Sequence, residues 1–328
     1  MNIAVVILNW NGKKLLEKFL PSVLLHSQEA TIYVVDNAST DGSVAYVKAN
    51  FTEVKIIQNT ANGGYAKGYN DALKHVKEDI YCLLNSDIEV TPNWLNPILD
   101  TFKNESETSI IQPKILDYKD KTKFEYAGAA GGFIDKYGYP YCRGRIFDTI
   151  ETDANQYNNA TIFWASGACF FIRKTTFQIL NGFDEIFFAH MEEIDLCWRA
   201  FNHDFKTKYI GNSVVYHVGG ATLDASSPKK TYLNFRNSLF TLTKNAKGNL
   251  LILIFVRLVL DGVAGIKFLF QLKFNHFAAI LKAHFSFYGH LISLLKVRKQ
   301  SQQKTGYYSK KSIVWSYFVN KRQYFSQM

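Results

Sequence analysis

The chain has 328 residues and 47% hydrophobic content, enough for one large domain with or without an appendage. Its four cysteines, Cys82, Cys142, Cys169 and Cys197, are far apart and form no C-x-x-C pair, which excludes a dense disulfide framework and favours buried thiols in a reducing compartment over zinc. The net charge of +10 hides an asymmetry: residues 229–328 hold 17 Lys+Arg and one acid, Asp261, whereas residues 1–228 hold 21 Lys+Arg and 27 Asp+Glu.

The first hundred residues alternate short apolar runs with amphipathic segments. IAVVIL (3–8), TIYVVD (31–36), VKIIQN (54–59) and IYCLL (80–84) read as strands. No basic leader precedes the first of them, so a cytoplasmic location is expected. Between the strands lie predicted helices at 13–25, interrupted by Pro21, at 43–49 and at 65–76; Pro92 suits the first turn of another. This alternation predicts an α/β fold with a mostly parallel sheet covered by helices. Residues 108–160, rich in glycine and aromatics, read as hairpins and loops. FWASGACFFIRK (163–174) reads as a strand entered through Ser166 and Gly167, 191–201 as a helix, and VVYH (214–217) as a strand ending in a glycine pair.

The basic C-terminal part carries apolar runs at 250–256 and 277–295, too short or too interrupted to span a bilayer. At 100° per residue, Arg257, Asp261, Lys267 and Gln271 share one polar arc opposite Leu, Ile, Val and Phe. Amphipathic helices docked on an anionic membrane, with the basic residues at the headgroups, are expected; a helical subdomain packed on the rest of the chain is the alternative. No nucleic-acid recognition motif accompanies the charge, so nucleic acid is not an expected partner.

Parallel sheets bind ligands beyond the C-terminal ends of their strands. Four such ends carry clustered polar residues: Asn9 onward, Asp36-Asn37 onward, Asn59 to Gly64, and Asn85-Ser86-Asp87. Turn chemistry explains any one of them, whereas four at one edge point to a polar ligand. Asp87 can hold a hard divalent cation or be a solvated turn aspartate. In HMEEIDLCWR (190–199), three acids at a helix start suit the helix dipole; alternatively, one is a general base raised by its like-charged neighbours. His217, alone at a strand end, reads first as a core histidine.

Seven segments, in order, carry a resemblance: VVILNWNG (5–12), VVDNASTDGS (34–43), NGGYAKGYNDAL (62–73), LLNSDIEVTPNWL (83–95), WASGACFFIRK (164–174), GFDEIFFAHMEEIDLCWRA (182–200) and YHVGG (216–220). Together they resemble the family 2 glycosyltransferases of GT-A fold, and are similar to the branch that includes bacterial rhamnosyltransferases. The resemblance covers roughly residues 1–225 and implies a catalytic domain over 1–228; the charge and periodicity of 229–328 set that part off as a basic, amphipathic helical region. It implies inverting transfer from a nucleotide-diphosphate sugar to a glycan or lipid-linked glycan, on the cytoplasmic face of a membrane.

By the same resemblance, Asn9, Asp36 and Asn37 line the nucleoside pocket. Asn62, Gly64 and Lys67 adjoin the nucleotide, Lys67 being otherwise an exposed helix lysine. Asn85, Ser86 and Asp87 stand where the family has D-x-D, with Asn85 replacing the first acid. Asp87 and His217 are then expected to hold Mg²⁺ or Mn²⁺. Glu193 is the expected base, longer by a methylene than the family's aspartate, with Glu192 and Asp195 as alternatives. Trp164, Ser166 and Gly167 are expected at the acceptor, Trp164 being otherwise a core aromatic. The competing functions are a sugar-nucleotide pyrophosphorylase, whose Gly-rich, basic N-terminal loop is poorly matched by N-W-N-G-K-K (9–14) here, and a non-catalytic nucleotide-sugar-binding module.

Overall fold

A computed structural model describes residues 1–219 and 227–328, so Gly220, the last residue of the YHVGG segment, lies outside the described residues. The first half alternates as read: β1 (Ile3–Asn9), α1 (Lys13–His26), β2 (Ala30–Asp36), α2 (Ser43–Asn50), β3 (Lys55–Gln58), α3 (Gly64–Leu73), β4 (Ile80–Asn85), β5 (Ile88–Val90) and α4 (Asn96–Asn104). Then come β6 (Thr108–Asp117), four short strands β7 (Gly132–Ile134), β8 (Pro140–Cys142), β9 (Arg145–Ile146) and β10 (Thr149–Ile150), then β11 (Ala160–Ile162) and β12 (Cys169–Arg173). The rest comprises α5 (Lys174–Ile179), α6 (Glu192–Asn202), β13 (Lys206–His217), α7 (Pro228–Asn245), α8 (Leu250–Phe270), α9 (Phe274–Gln300) and α10 (Ile313–Phe318).

The main sheet runs β11-β13-β6-β12-β4-β1-β2-β3, with β5 paired to β13. Neighbours among β3, β2, β1 and β4 are parallel, as are β6 and β13; β12 runs antiparallel to both β4 and β6. Alternation sends successive side chains to opposite faces. Ile3, Val5 and Ile7 pack with Leu16, Leu20 and Ile98 on one side; Ala4 and Val6 pack with Tyr69, Leu83 and Phe170 on the other. All four cysteines are buried and free.

Three local expectations change. Pro21 does not interrupt α1: it removes one backbone donor, but Leu16, Phe19, Leu20 and Val23 stay buried along one stripe and carry the helix through. Pro92 does not open a helix; Asn93 turns left-handed (φ 59°), and α4 starts at Asn96 with Pro97 in its first turn. Within 108–160, the ten-residue strand β6 replaces the expected loop. Its polar stretch Gln112-Pro113-Lys114 hid it, yet each member is accommodated. Gln112 bonds Gly128 and Ser166 backbone, Lys114 pairs with Asp153 at 2.6 Å, and Pro113 sits beside a register shift in β13.

The helices after residue 228 join the existing core. Leu239, Phe240, Leu253 and Phe287 belong to the same buried cluster as Trp164, Phe187 and Trp198. Of the polar arc of α8, Arg257 and Asp261 are turned inward rather than toward solvent or headgroups, whereas Lys267 and Gln271 are exposed. Arg257 and Asp261 are buried and paired at 2.8 Å, the guanidinium lying 3.8 Å from the Tyr139 ring centre.

Candidate active site

The ends of β1, β2, β4, β6 and β13 and the start of β12 meet at one edge of the sheet because of their pairing register. Asn9 stands opposite Asp36, Leu8 opposite Asn85, and His217 opposite both Ile88 and Asp117. The peptide N–H of Asn85 donates to Ala168 at 2.9 Å, which brings the Asn85-Ser86-Asp87 turn beside Ser166 and Gly167. The carboxyl carbon of Glu193 lies 3.7 Å from where a side chain on Gly167 would begin. The two acids on which the sequence reading turns, Asp87 and Glu193, thus lie at the same edge.

The expected nucleoside residues form a rigid polar floor. Asn9 and Asp36 are buried, and the Asn9 amide donates to Asp36 (3.4 Å) and Ser39 (3.2 Å). Asn9 Oδ1 is buried without a partner. Asn59 donates to Asn37, Asn37 donates to Asn62 at 3.0 Å, and Asn62 accepts from the Gly64 N–H at 3.0 Å. Gly64 adopts φ +79°, and a Cβ there would sit 2.4 Å from the Phe188 carbonyl oxygen; what comes close is this chain's own backbone. Lys67 lies on the surface, paired to Asp71 at 2.8 Å.

Asn85 and Ser86 are partly exposed, while Asp87 and His217 are buried. Asp87 Oδ1 lies 3.2 Å from His217 Nε2. On the ring's other side Glu125 Oε1 lies 3.3 Å from Nδ1, a pairing distance without hydrogen-bond alignment. Burial disfavours a charged ring, but the Asp87 and Glu125 carboxylates outweigh it and raise His217 to about 10. Two buried acids around one imidazole call for positive charge. Cis ligands on a cation with bonds of about 2.1 Å stand roughly 3 Å apart, which matches the Asp87–His217 spacing. A carboxylate behind a ligating histidine is a recurrent way of orienting the ring. Among the described residues no group of three or more His, Cys, Asp or Glu side chains is arranged to hold a metal, so a cation here needs oxygens from a ligand as well.

The three acids of α6 occupy three different environments. Asp195 is fully buried and accepts from Arg199 (2.8 Å), Lys244 (2.9 Å) and Asn245 (2.8 Å). Burial pushes its carboxyl up, yet Lys244 and Arg199 prevail and hold it below the usual range. It ties α6 to α7. Glu192 is buried with an unpartnered Oε2, and burial, then the charge of Glu193, push it far up. Glu193 keeps part of its side chain exposed, and its Oε2 has no partner. Its carboxyl is raised to about 7, principally by burial, with backbone N–H groups of the helix start and Gly167 working against the rise. Like-charged neighbours, the cause expected from the sequence, are secondary: desolvation is the larger cause at both positions.

Ser166 and Gly167 border this acid: Ser166 is buried against Gln112, and Gly167 accepts from the Tyr65 hydroxyl at 2.8 Å. Trp164 is instead a core aromatic. Its indole N–H donates to Phe133 at 2.8 Å, and its ring covers Gly132, where a Cβ would lie 2.0 Å from it. No ring face is left for a sugar.

Four residues escaped the sequence reading. Glu125 lies in the irregular region, without periodicity to mark it. Tyr65 was visible only as a helix residue. His190 has a buried, unpartnered Nε2 and is lowered to about 4 by burial and then by the charge of Lys230. Asn237, from α7, donates to the carbonyls of Phe187 (3.1 Å), Ala189 (2.9 Å) and His190 (2.7 Å). It fixes a loop whose Phe188, His190 and Met191 all have positive φ, a backbone strain of about 1–3 kcal/mol per residue.

Comparison with known proteins agrees with this geometry. The model of "Glycosyl transferase family 2" matches residues 4–179. Over 232 residues the chain is 24% identical to N-acetylglucosaminyl-diphospho-decaprenol L-rhamnosyltransferase of Mycobacterium tuberculosis, covering 66% of this chain and 75% of that one. Among solved structures, GalNAc-T7 with UDP, GalNAc and Mn²⁺ superposes with a TM-score of 0.57 at 16% identity, covering 74% of this chain and only 48% of the other. The mannosyltransferase PcManGT of Pyrobaculum calidifontis, in complex with GDP-Man and Mn²⁺, gives 0.54 at 12% identity, covering 88% and 87%. These likenesses are to GT-A folds, and the chain belongs to glycosyltransferase family 2.

Proposed function

We propose that the enzyme transfers a sugar, with inversion, from a UDP- or dTDP-sugar to a hydroxyl of a lipid-linked glycan precursor, with dTDP-rhamnose among the candidate donors. The observation that carries this is Glu193: a carboxylate poised near neutrality, partly open, at the sheet edge that also holds Asp87 and His217. Glu193 Oε takes the proton of the acceptor hydroxyl. The acceptor oxygen forms the new bond at the anomeric carbon while the bond to the diphosphate breaks on the opposite face. Asp195 is held ionised by two cations within the core and is unsuited to receive a proton; Glu192 is more deeply buried than Glu193.

Asp36 accepts from the ring N–H of a pyrimidine, which uracil and thymine share, with Asn9 and Asn37 beside it; Asn62 and Gly64 shape that wall. Asn85 and Ser86, partly exposed, face the donor's sugar-phosphate. Asp87 and His217 are the residues that would hold Mg²⁺ or Mn²⁺, with Glu125 orienting the imidazole. Such a cation supplies charge neutralisation for the departing diphosphate. The mycobacterial relative, named for transfer to a diphospho-decaprenol-linked sugar, supports a lipid-linked acceptor; the basic C-terminal region supports work at an anionic membrane surface, for which we propose the cytoplasmic side.

The test is a thermal-shift screen of UDP- and dTDP-sugars with and without Mn²⁺, followed by transfer to a lipid-linked acceptor panel. Stabilisation by a pyrimidine nucleotide, strengthened by Mn²⁺, and turnover are expected. Donor binding without turnover on any acceptor defeats the catalytic reading and leaves a binding module.

A further inference from the structure

We propose that α8 and α9 form a hairpin that lies in the interface of an anionic bilayer with its exposed apolar side chains down. This rests on the membrane reading above and narrows it: the apolar side chains, rather than the lysines alone, hold the protein there.

Soluble helices turn their apolar stripe inward. Here α8 buries Arg257 and Asp261 beside Leu253 and Gly265, and leaves Ile252, Val259, Val263 and Ile266 exposed. Arg257 donates to Asp261 at 2.8 Å and to the Tyr137 and Gly138 carbonyls at 3.2 Å, and Asp261 also accepts from the Tyr139 hydroxyl at 2.7 Å. His284, from α9, faces Asp261 at 3.4 Å. Arg257 and Asp261 are thereby satisfied within the protein. Outside stand Leu251 at 81% exposure, Phe255 at 67%, Phe270 at 86%, Leu272 at 75%, Phe285 at 75% and Ile292 at 72%. Phe270 and Leu272 cap the turn between the two helices, where Leu272 takes φ +57°.

The charge around this face selects its occupant. The only acid from residue 229 onward is Asp261, and it is buried. Lys267, Lys273, Lys282, Lys296 and Lys299 are all exposed. An apolar face on a segment whose exposed lysines face no exposed acid of that segment fits acyl chains below and phosphate groups around, whereas two copies of it would repel each other. Of the described helices, only α9 is long and apolar enough to cross a membrane. Its Ala279, Ile280, Ala283, Phe287 and Leu294 are buried against the rest of the protein, so the helix lies along the surface rather than through it.

The experiment uses the full chain and flotation with vesicles of phosphatidylglycerol and phosphatidylcholine, or of phosphatidylcholine alone, at low and at 0.5 M salt. Wild type is expected to float with the anionic vesicles and to remain bound in high salt. Phe255→Glu/Phe270→Glu should lower partitioning roughly tenfold or more per residue, with unchanged thermal unfolding, since both side chains are exposed. A fluorophore on Phe270→Cys should be quenched by lipid-borne quenchers. Equal flotation of the double variant, complete release by salt, or an unquenched fluorophore overturns the hairpin while leaving surface association standing. Failure of wild type to float on any vesicle overturns both. A dimer abolished by the same double variant, without flotation, assigns the face to a second copy and overturns the proposal.

Discussion

Replacing Glu193 by Gln removes a charge that the fold opposes and the chemistry needs. The carboxyl stands at about 7 against an ordinary 4.5, which corresponds to roughly 3 kcal/mol as a ceiling, reduced by the partial exposure of the side chain. Its sign follows from proton binding. Below pH 4.5 both folded and unfolded chains hold the proton and the group costs nothing. Between 4.5 and 7 the unfolded chain ionises first, so stability is lost as pH rises, and the full penalty is present above 7. Urea unfolding of wild type and Glu193→Gln should therefore nearly coincide at pH 4 and diverge above pH 7, with the variant more stable by up to about 3 kcal/mol. Transfer activity should move the other way: wild-type kcat rises through about pH 7 as the base ionises, and the variant loses about 10²–10⁴-fold while still binding nucleotide. A variant with full turnover, or with unfolding curves parallel to wild type at every pH, refutes the assignment of Glu193 as a buried, poised base.

Glu125→Gln should weaken Mn²⁺-dependent activation about 10–100-fold without changing nucleotide binding in the absence of metal, measured by Mn²⁺ titration of turnover. Asp195→Asn leaves Lys244 with Asp184 as its one carboxylate and takes the carboxylate from Arg199, and should cost about 1.5–3 kcal/mol in urea unfolding. Trp164→Phe leaves the Phe133 carbonyl without its donor and should destabilise by about 1–3 kcal/mol while the acceptor KM stays constant; a raised KM with unaltered stability would return Trp164 to the acceptor site. Gly64→Ala forces a clash with Phe188 and should lower thermal stability as well as donor affinity, as read by differential scanning fluorimetry with and without nucleotide.

The strands were legible because each is a short apolar run ended by polar residues at the sheet edge, and both faces of the sheet are covered. Glu193 was legible by its place in an ordered motif, but its raised pKa comes mainly from burial, which depends on residues far away in sequence. Gly64 and Trp164 show why motif position is insufficient for a role. The glycine is required by Phe188, 124 positions further on, and the tryptophan by Gly132. The arc of α8 was measured correctly, yet periodicity records only that a helix has two sides. Which side meets protein was decided by Tyr139 and His284, which offer partners to Arg257 and Asp261.

The grip of Asn237 on three loop carbonyl groups, together with the Asp195–Lys244 pair, has a consequence for modularity. A tail grafted from a related enzyme would bring a foreign residue to the seat of Asn237, and the loop entering α6 would relax from its left-handed turns. Chimaeras that exchange everything after the sheet should therefore lose reaction rate before they lose solubility. The boundary at which such pieces can be swapped lies within contacts made by α7, away from the last strand.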